Sequence, residues 1–205
     1  MAVRKTRLAV LVSGQGSNLQ ALIDAISVGI LDAEIALVLS SKPRAFALER
    51  AGKARIPTAV ASWKAFVEEF GRSRRETYDA ALAGIVAGYD PDFIFLLGWM
   101  RVLGRSFLDH FPGKVVNLHP ALPGTFPGEG AIAKAWESGQ AGKTKVFGAM
   151  THFVPDEGVD SGPVILSESL PLENFASLEG FEAAMHRLEH RLVVETAKKL
   201  CNYKE

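Results

Sequence analysis

Asn117 and His119 stand two residues apart in the stretch Lys-Val-Val-Asn-Leu-His-Pro-Ala-Leu-Pro at 114–123. In extended chain that spacing puts both side chains on one face. A polar pair at the carboxyl end of an α/β strand is where such folds place their chemistry. The acidic turn Asp-Glu-Gly-Val-Asp-Ser-Gly-Pro at 156–163, which includes Asp160, gains its interest from His119. A carboxylate against an imidazole favours the protonated ring and lifts its pKa above about 6.5, making a usable acid near neutrality. Taken singly, each group also has a plainer role: Asn117 as a turn cap, His119 as a satisfied surface imidazole, and 156–163 as an ordinary Asp/Gly turn.

A second candidate is the turn Ser13-Gly14-Gln15-Gly16-Ser17-Asn18-Leu19. Glycines let backbone approach a ligand, and free N–H groups at a helix start favour an anion. The turn is no dinucleotide fingerprint. Leu19 takes the place of the third glycine, and Ser40-Ser41-Lys42 stands where an acid would hold a ribose. It also lacks the Gly-Lys-Ser/Thr of a P-loop. A single phosphate monoester suits it, and so does a plain strand-to-helix turn with Ser17 or Asn18 as N-cap.

Other motifs carry less. His186-Arg187-Leu188-Glu189-His190 matches a His-x-x-Glu-His zinc helix, but only Glu195 and Glu205 follow as acids, so no metal is expected. Neither Ser17 nor Ser161 sits in Gly-x-Ser-x-Gly. Cys201 has no evident activating partner. Trp63, Trp99 and Trp136 are scattered rather than arranged as a stacking platform for single-stranded nucleic acid.

The elements that must position these groups alternate along the chain. Strands are predicted at 8–12, 33–40, 57–60, 92–97 and 114–118 from their apolar, β-branched runs. Helices are predicted at 18–28, where Leu19, Leu22, Ile23 and Ile26 share a stripe, and at 45–53, 62–70, 76–87 and 104–110. The Pro- and Gly-rich segment 120–130 reads as a loop, followed by a helix at 131–138. Residues 146–154 and 164–170 read as an antiparallel pair of strands. A last amphipathic helix carries Leu178, Phe181, Met185, Leu188 and Leu192 on its buried face. The fold class expected is α/β: a single doubly wound, mainly parallel sheet with an antiparallel edge after residue 145, forming one domain over 1–205. Ligands should then gather at the carboxyl ends of the first, fourth and fifth strands.

The 205 residues are 48% hydrophobic and 22% charged, enough for a sizeable core in an ordinary globule. A formal net charge of zero argues against a broad nucleic-acid or anionic-membrane surface, while leaving room for a local anion pocket. The lone Cys201 cannot form an internal disulfide, which fits a reducing compartment. The first apolar run ends at Val12, too short for a signal peptide, and the longest one, 93–100, is far short of a membrane span. A cytoplasmic protein, monomer or homodimer, is expected, with neither nucleic acid nor membrane as partner.

With Asn117, His119 and Asp160 assembled, the chain resembles the phosphoribosylglycinamide formyltransferases, folate-dependent enzymes of purine synthesis. The likeness runs from residue 8 to about residue 200 and is carried by Val-Ser-Gly-Gln-Gly-Ser-Asn-Leu-Gln at 12–20, Leu-Gly-Trp-Met-Arg-Val-Leu at 97–103, Asn-Leu-His-Pro at 117–120, His-Phe-Val at 152–154 and Asp-Ser-Gly-Pro at 160–163. The resemblance implies a Rossmann-like formyltransferase fold and formyl transfer from 10-formyltetrahydrofolate, as co-substrate, to the amine of glycinamide ribonucleotide, without a metal. It implies Asn117, His119 and Asp160 as catalytic residues, with Asp160 keeping His119 protonated. It implies the ribose phosphate on the backbone of Gly16, Ser17 and Asn18, and the substrate amine near Glu189. For the folate it implies a pterin slot at Met100, Arg101, Val102, Leu103 and Asn117, with the glutamate tail near Arg75. The sequence departs from the family pattern in three places. It reads His-Pro-Ala-Leu-Pro-Gly from residue 119 where members commonly read His-Pro-Ser-Leu-Leu-Pro, it has Ile132 where a histidine is often found, and its interval from His152 to Asp160 is one residue longer. A formyltetrahydrofolate hydrolase shares part of the pattern but usually adds an N-terminal regulatory domain, for which a first strand at residue 8 leaves no room. A methionyl-tRNA formyltransferase would need a further C-terminal domain and a basic surface. A non-catalytic phosphate- or folate-binding module is the alternative outside the enzymes.

Overall fold

The computed structural model describes residues 4–171 and 175–202. Along the chain run β1 (Thr6–Val12), α1 (Ser17–Ser27), β2 (Ala33–Ser40), α2 (Phe46–Lys53), β3 (Thr58–Val60), α3 (Trp63–Phe70), a 3₁₀ turn (Arg72–Arg74), α4 (Arg75–Ala87), β4 (Phe93–Leu96), α5 (Arg105–Leu108), β5 (Val115–His119), α6 (Ala131–Gln140), β6 (Val146–Phe153), β7 (Val164–Pro171) and α7 (Leu178–Cys201). The strands form one seven-stranded sheet in the order β3-β2-β1-β4-β5-β6-β7. β1 to β5 run parallel, and β6 and β7 add antiparallel to β5. The doubly wound sheet with its antiparallel edge is the architecture expected from the sequence.

Period-two alternation sends each strand's side chains into two cores. On β1, Leu8, Val10 and Val12 pack beneath α1, α2 and α7, whose Leu22, Ala47 and Leu188 join them. Ala9 and Leu11 face the other way, toward Tyr78 and Leu82 of α4 and Phe107 of α5. Burial on both faces explains why the parallel strands read as unbroken apolar runs. Strand order reverses between β1 and β4, and this crevice at the strands' carboxyl ends is where open α/β sheets take ligands. α7 is fastened to β6 by a buried Thr151–Thr196 hydroxyl contact of 2.7 Å.

Most boundaries differ from expectation by a residue or two, and two of the differences bear on the site. β5 extends to His119, which pairs with Met150 on β6, because Pro120 removes a donor only after the ladder has closed. The crossover helix α5 is one turn, Arg105–Leu108, rather than 104–110. No described helix is long and apolar enough to cross a membrane.

Candidate active site

β5 delivers the two polar side chains. Val116 and Leu118 feed one core, so Asn117 and His119 share the opposite face with Val115. They open into a cleft of about 980 Å³ at the strands' carboxyl ends, walled by segments 13–18, 96–103, 128–132 and 152–160 and by Glu189. Asp160 arrives from the loop after β6 with a left-handed backbone, φ +50°. Aspartate visits that conformation more readily than most residues.

The Asp160 carboxylate, only 9% exposed, is the hub. Its Oδ1 accepts from Asn117 Nδ2 at 3.0 Å, and its Oδ2 from the Gly128 N–H at 2.8 Å. His119 Nδ1 lies 3.3 Å from Oδ2, and His152 Nε2 lies 3.5 Å from Oδ1. Burial alone would raise this carboxyl's pKa. His152, the Gly128 N–H and the His119 ring outweigh burial and hold it below the ordinary carboxylate value. The sequence thus anticipates the meeting of residues 117, 119 and 160, even with the longer interval from His152.

At His119 the expected carboxylate is present, and burial opposes it. Its Nε2 faces the Phe126 carbonyl at 3.0 Å and its Nδ1 faces Asp160, so both ring nitrogens meet acceptors. Those acceptors favour the imidazolium, but the ring is 4% exposed, and burial pushes its pKa below the ordinary imidazole value. The carboxylate is where it was expected; the desolvation that outweighs it depends on packing and cannot be seen in spacing.

His152 has no role assigned from sequence, yet it completes the site. Its Nδ1 donates to the Phe153 carbonyl at 2.8 Å, and its Nε2 lies 3.2 Å from Asn117 Nδ2. Both N–H groups of the Asn117 amide are then engaged, on Asp160 and on His152. The one signal available was a histidine on an otherwise buried strand, Phe-Gly-Ala-Met-Thr-His-Phe.

At the glycine turn the N-cap is Gly16 rather than Ser17 or Asn18. Its φ is +70°, and a Cβ there would lie 2.6 Å from the Ala47 Cβ, so the turn needs glycine for conformation and for room. α2 clamps it through Ala47 N–H to Gly14 O at 3.1 Å and Arg50 Nε to Gln15 O at 2.9 Å. The first helical bond runs from Gln20 N–H to Gly16 O, which leaves the N–H groups of Ser17, Asn18 and Leu19 without helical acceptors. Ser17 and Asn18 line the cleft. Such groups suit an anion.

Glu189, 5% exposed on α7, accepts from Asn18 Nδ2 at 3.0 Å and meets His186 Nδ1 at 3.5 Å. Hydrogen bonding to Glu189 raises the His186 pKa. His186 and Glu189 of the zinc-like motif thus pair with each other at the cleft wall. Among the described residues no group of three potential ligands gathers, and Glu205 lies outside them. On the opposite wall, Met100 and Val102 are exposed to the cleft, Leu103 is buried, and the Arg101 guanidinium stacks 3.9 Å above the Trp63 ring. Arg75, expected near a folate tail, is half-exposed and donates to the Val102 carbonyl at 3.0 Å.

An oxyanion-type amide, an imidazole and a carboxylate beside an anion-ready helix start describe an acyl-group transferase on a doubly wound sheet. Residues 6–197 match the formyl transferase family, and the chain belongs to it. Among its relatives, the phosphoribosylglycinamide formyltransferase of Dictyostelium discoideum is 42% identical over 94% of this chain and 97% of its own length. That of Schizosaccharomyces pombe is 40% identical over 94% of this chain and 96% of its own length. Among solved structures, glycinamide ribonucleotide transformylase 1 from Geobacillus kaustophilus aligns with a TM-score of 0.87 at 34% identity, over 97% of this chain and all of that one.

Proposed function

We propose that this chain, as one formyltransferase domain, moves the formyl group of 10-formyltetrahydrofolate onto the primary amine of phosphoribosylglycinamide, a step of purine biosynthesis. The observation that carries the proposal is the convergence of Asn117, His119 and Asp160 in a cleft that has an anion-ready turn at one end and an apolar slot at the other. The cleft is large enough for two small molecules held side by side. Gly16, Ser17 and Asn18 would hold the ribose phosphate, and Glu189 the amine. Met100, Arg101, Val102 and Leu103 would take the pterin, with Arg75 at the glutamate tail.

The folate supplies an activated formyl carbon. A new bond forms between the substrate amine and that carbon, and the bond from the carbon to N10 breaks. Asn117 turns one N–H from His152 toward the formyl oxygen and keeps the other on Asp160. His119 takes the proton shed by the attacking amine and returns it to N10 as that nitrogen leaves. Asp160 stabilises the ring while it carries this proton. Holding both reactants in one cleft supplies much of the remaining acceleration.

Purified protein given both substrates should release tetrahydrofolate and formylate the ribonucleotide. Release without the ribonucleotide would instead mark a hydrolase. No release under either condition would mark a binding module.

A further inference from the structure

The slot segment 100–104 belongs to no helix or strand, so its backbone groups have no ladder to satisfy them. Side chains do that work. Arg75 and Asp79 lie one turn apart on α4 and face the segment together. Arg75 donates to the Val102 carbonyl at 3.0 Å, and its Nε lies 3.6 Å from Asp79. Asp79, 2% exposed, accepts from the Gly104 N–H at 3.0 Å. A Cβ on Gly104 would stand 2.7 Å from the Asp79 carboxylate and 3.1 Å from Glu157, on the loop that also carries Asp160. A buried carboxylate held by one backbone N–H and the half-exposed Arg75 is a costly way to fill a core, and its place beneath the donor wall gives it a use.

We propose that Asp79, acting with Arg75, is a positioning residue for the formyl donor: the pair fixes the backbone from Val102 to Gly104 in the geometry that recognises the pterin. The claim rests on the donor slot assigned above. Arg75 has its guanidinium held from behind and keeps its exposed side for the glutamate tail. Asp79 touches neither reactant; it acts through Gly104 and Arg75.

The test is a steady-state comparison on the full chain, with KM measured separately for 10-formyltetrahydrofolate and for glycinamide ribonucleotide. Asp79→Leu removes the acceptor for Gly104 and the charge facing Arg75. It should raise the donor KM about tenfold or more and leave the ribonucleotide KM within about twofold. Asp79→Asn keeps an acceptor for Gly104 and should raise the donor KM less. Arg75→Met should weaken both 10-formyltetrahydrofolate and the corresponding pteroate, which lacks the glutamate, since the brace serves the pterin. A loss confined to the glutamate-bearing donor would reduce Arg75 to a tail contact and overturn its part in the brace. If both KM values rise together in the Asp79 variants as melting temperature falls, the role is structural and the proposal fails; unchanged donor KM in Asp79→Leu also sinks it. A wild-type protein without formyl transfer would instead refute the assigned activity, a result separable from these.

Discussion

On His119, burial and charge pull in opposite directions, and burial wins. A depressed imidazole pKa suits a group that receives the proton of an attacking amine. If it is the base, kcat/KM should fall on the acid side, below about pH 6.5, as the ring gains its proton. Asp160→Asn keeps a residue that tolerates φ +50° while removing the charge that draws the His119 pKa upward. The acid limb should therefore move to still lower pH as the maximum rate drops; a limb that moves upward would contradict this assignment. Asn117→Ala and His119→Ala should each lower kcat by about two orders of magnitude or more, measured as tetrahydrofolate release. The residues of this site were legible because a strand fixes the facing of positions 117 and 119, and acidic turns are conspicuous. The state of the ring was not legible, nor was the grip of His152 on Asn117, since both depend on which atoms surround a buried group.

At the scale of elements, the start of α1 makes the sharpest claim. Gly16 meets α2 so closely that even one methyl group collides with Ala47, and its φ is one that alanine adopts only under strain. Gly16→Ala should push the turn away from α2 and misdirect the N–H groups of Ser17 and Asn18. The KM for the ribonucleotide should rise about tenfold or more, while the donor KM changes much less; equal changes in both would deny the turn its phosphate. Most of the elements were readable because burial on both faces writes continuous apolar runs into β1, β2 and β4, and burial on one face writes the stripe of α7. Capping was read wrongly at α1. Ser17 and Asn18 are good cap residues by type, but the approach of α2 hands the cap to glycine, and a contact between distant segments leaves no local signature.

Across the whole molecule, the buried ionisable groups set how stability follows pH. His119 and Asp160 both have pKa values below their ordinary ones. For each, the unfolded chain binds the proton more tightly, so each contribution is complete above the unfolded pKa and is lost as pH falls through the folded one. The protein should therefore lose stability below about pH 6.5 as His119 gains its proton, and again below about pH 3.9 as Asp160 does. Asp79 works in the opposite sense. Burial raises its pKa, against the pull of the Gly104 N–H, Arg75 and Arg101. Its ionised form therefore burdens the fold at neutral pH, and the burden lifts as pH falls through the raised value. Asp79→Asn resembles the protonated state, so it should melt at least as high as the wild type at pH 7 and lose that advantage on acidification. Thermal scans across pH check this directly, and a variant several degrees less stable at pH 7 would refute it. Natural chains keep such burdens where function needs them. A variant that melts higher yet binds its donor more weakly would mark Asp79 as held in place by the reaction rather than by the fold.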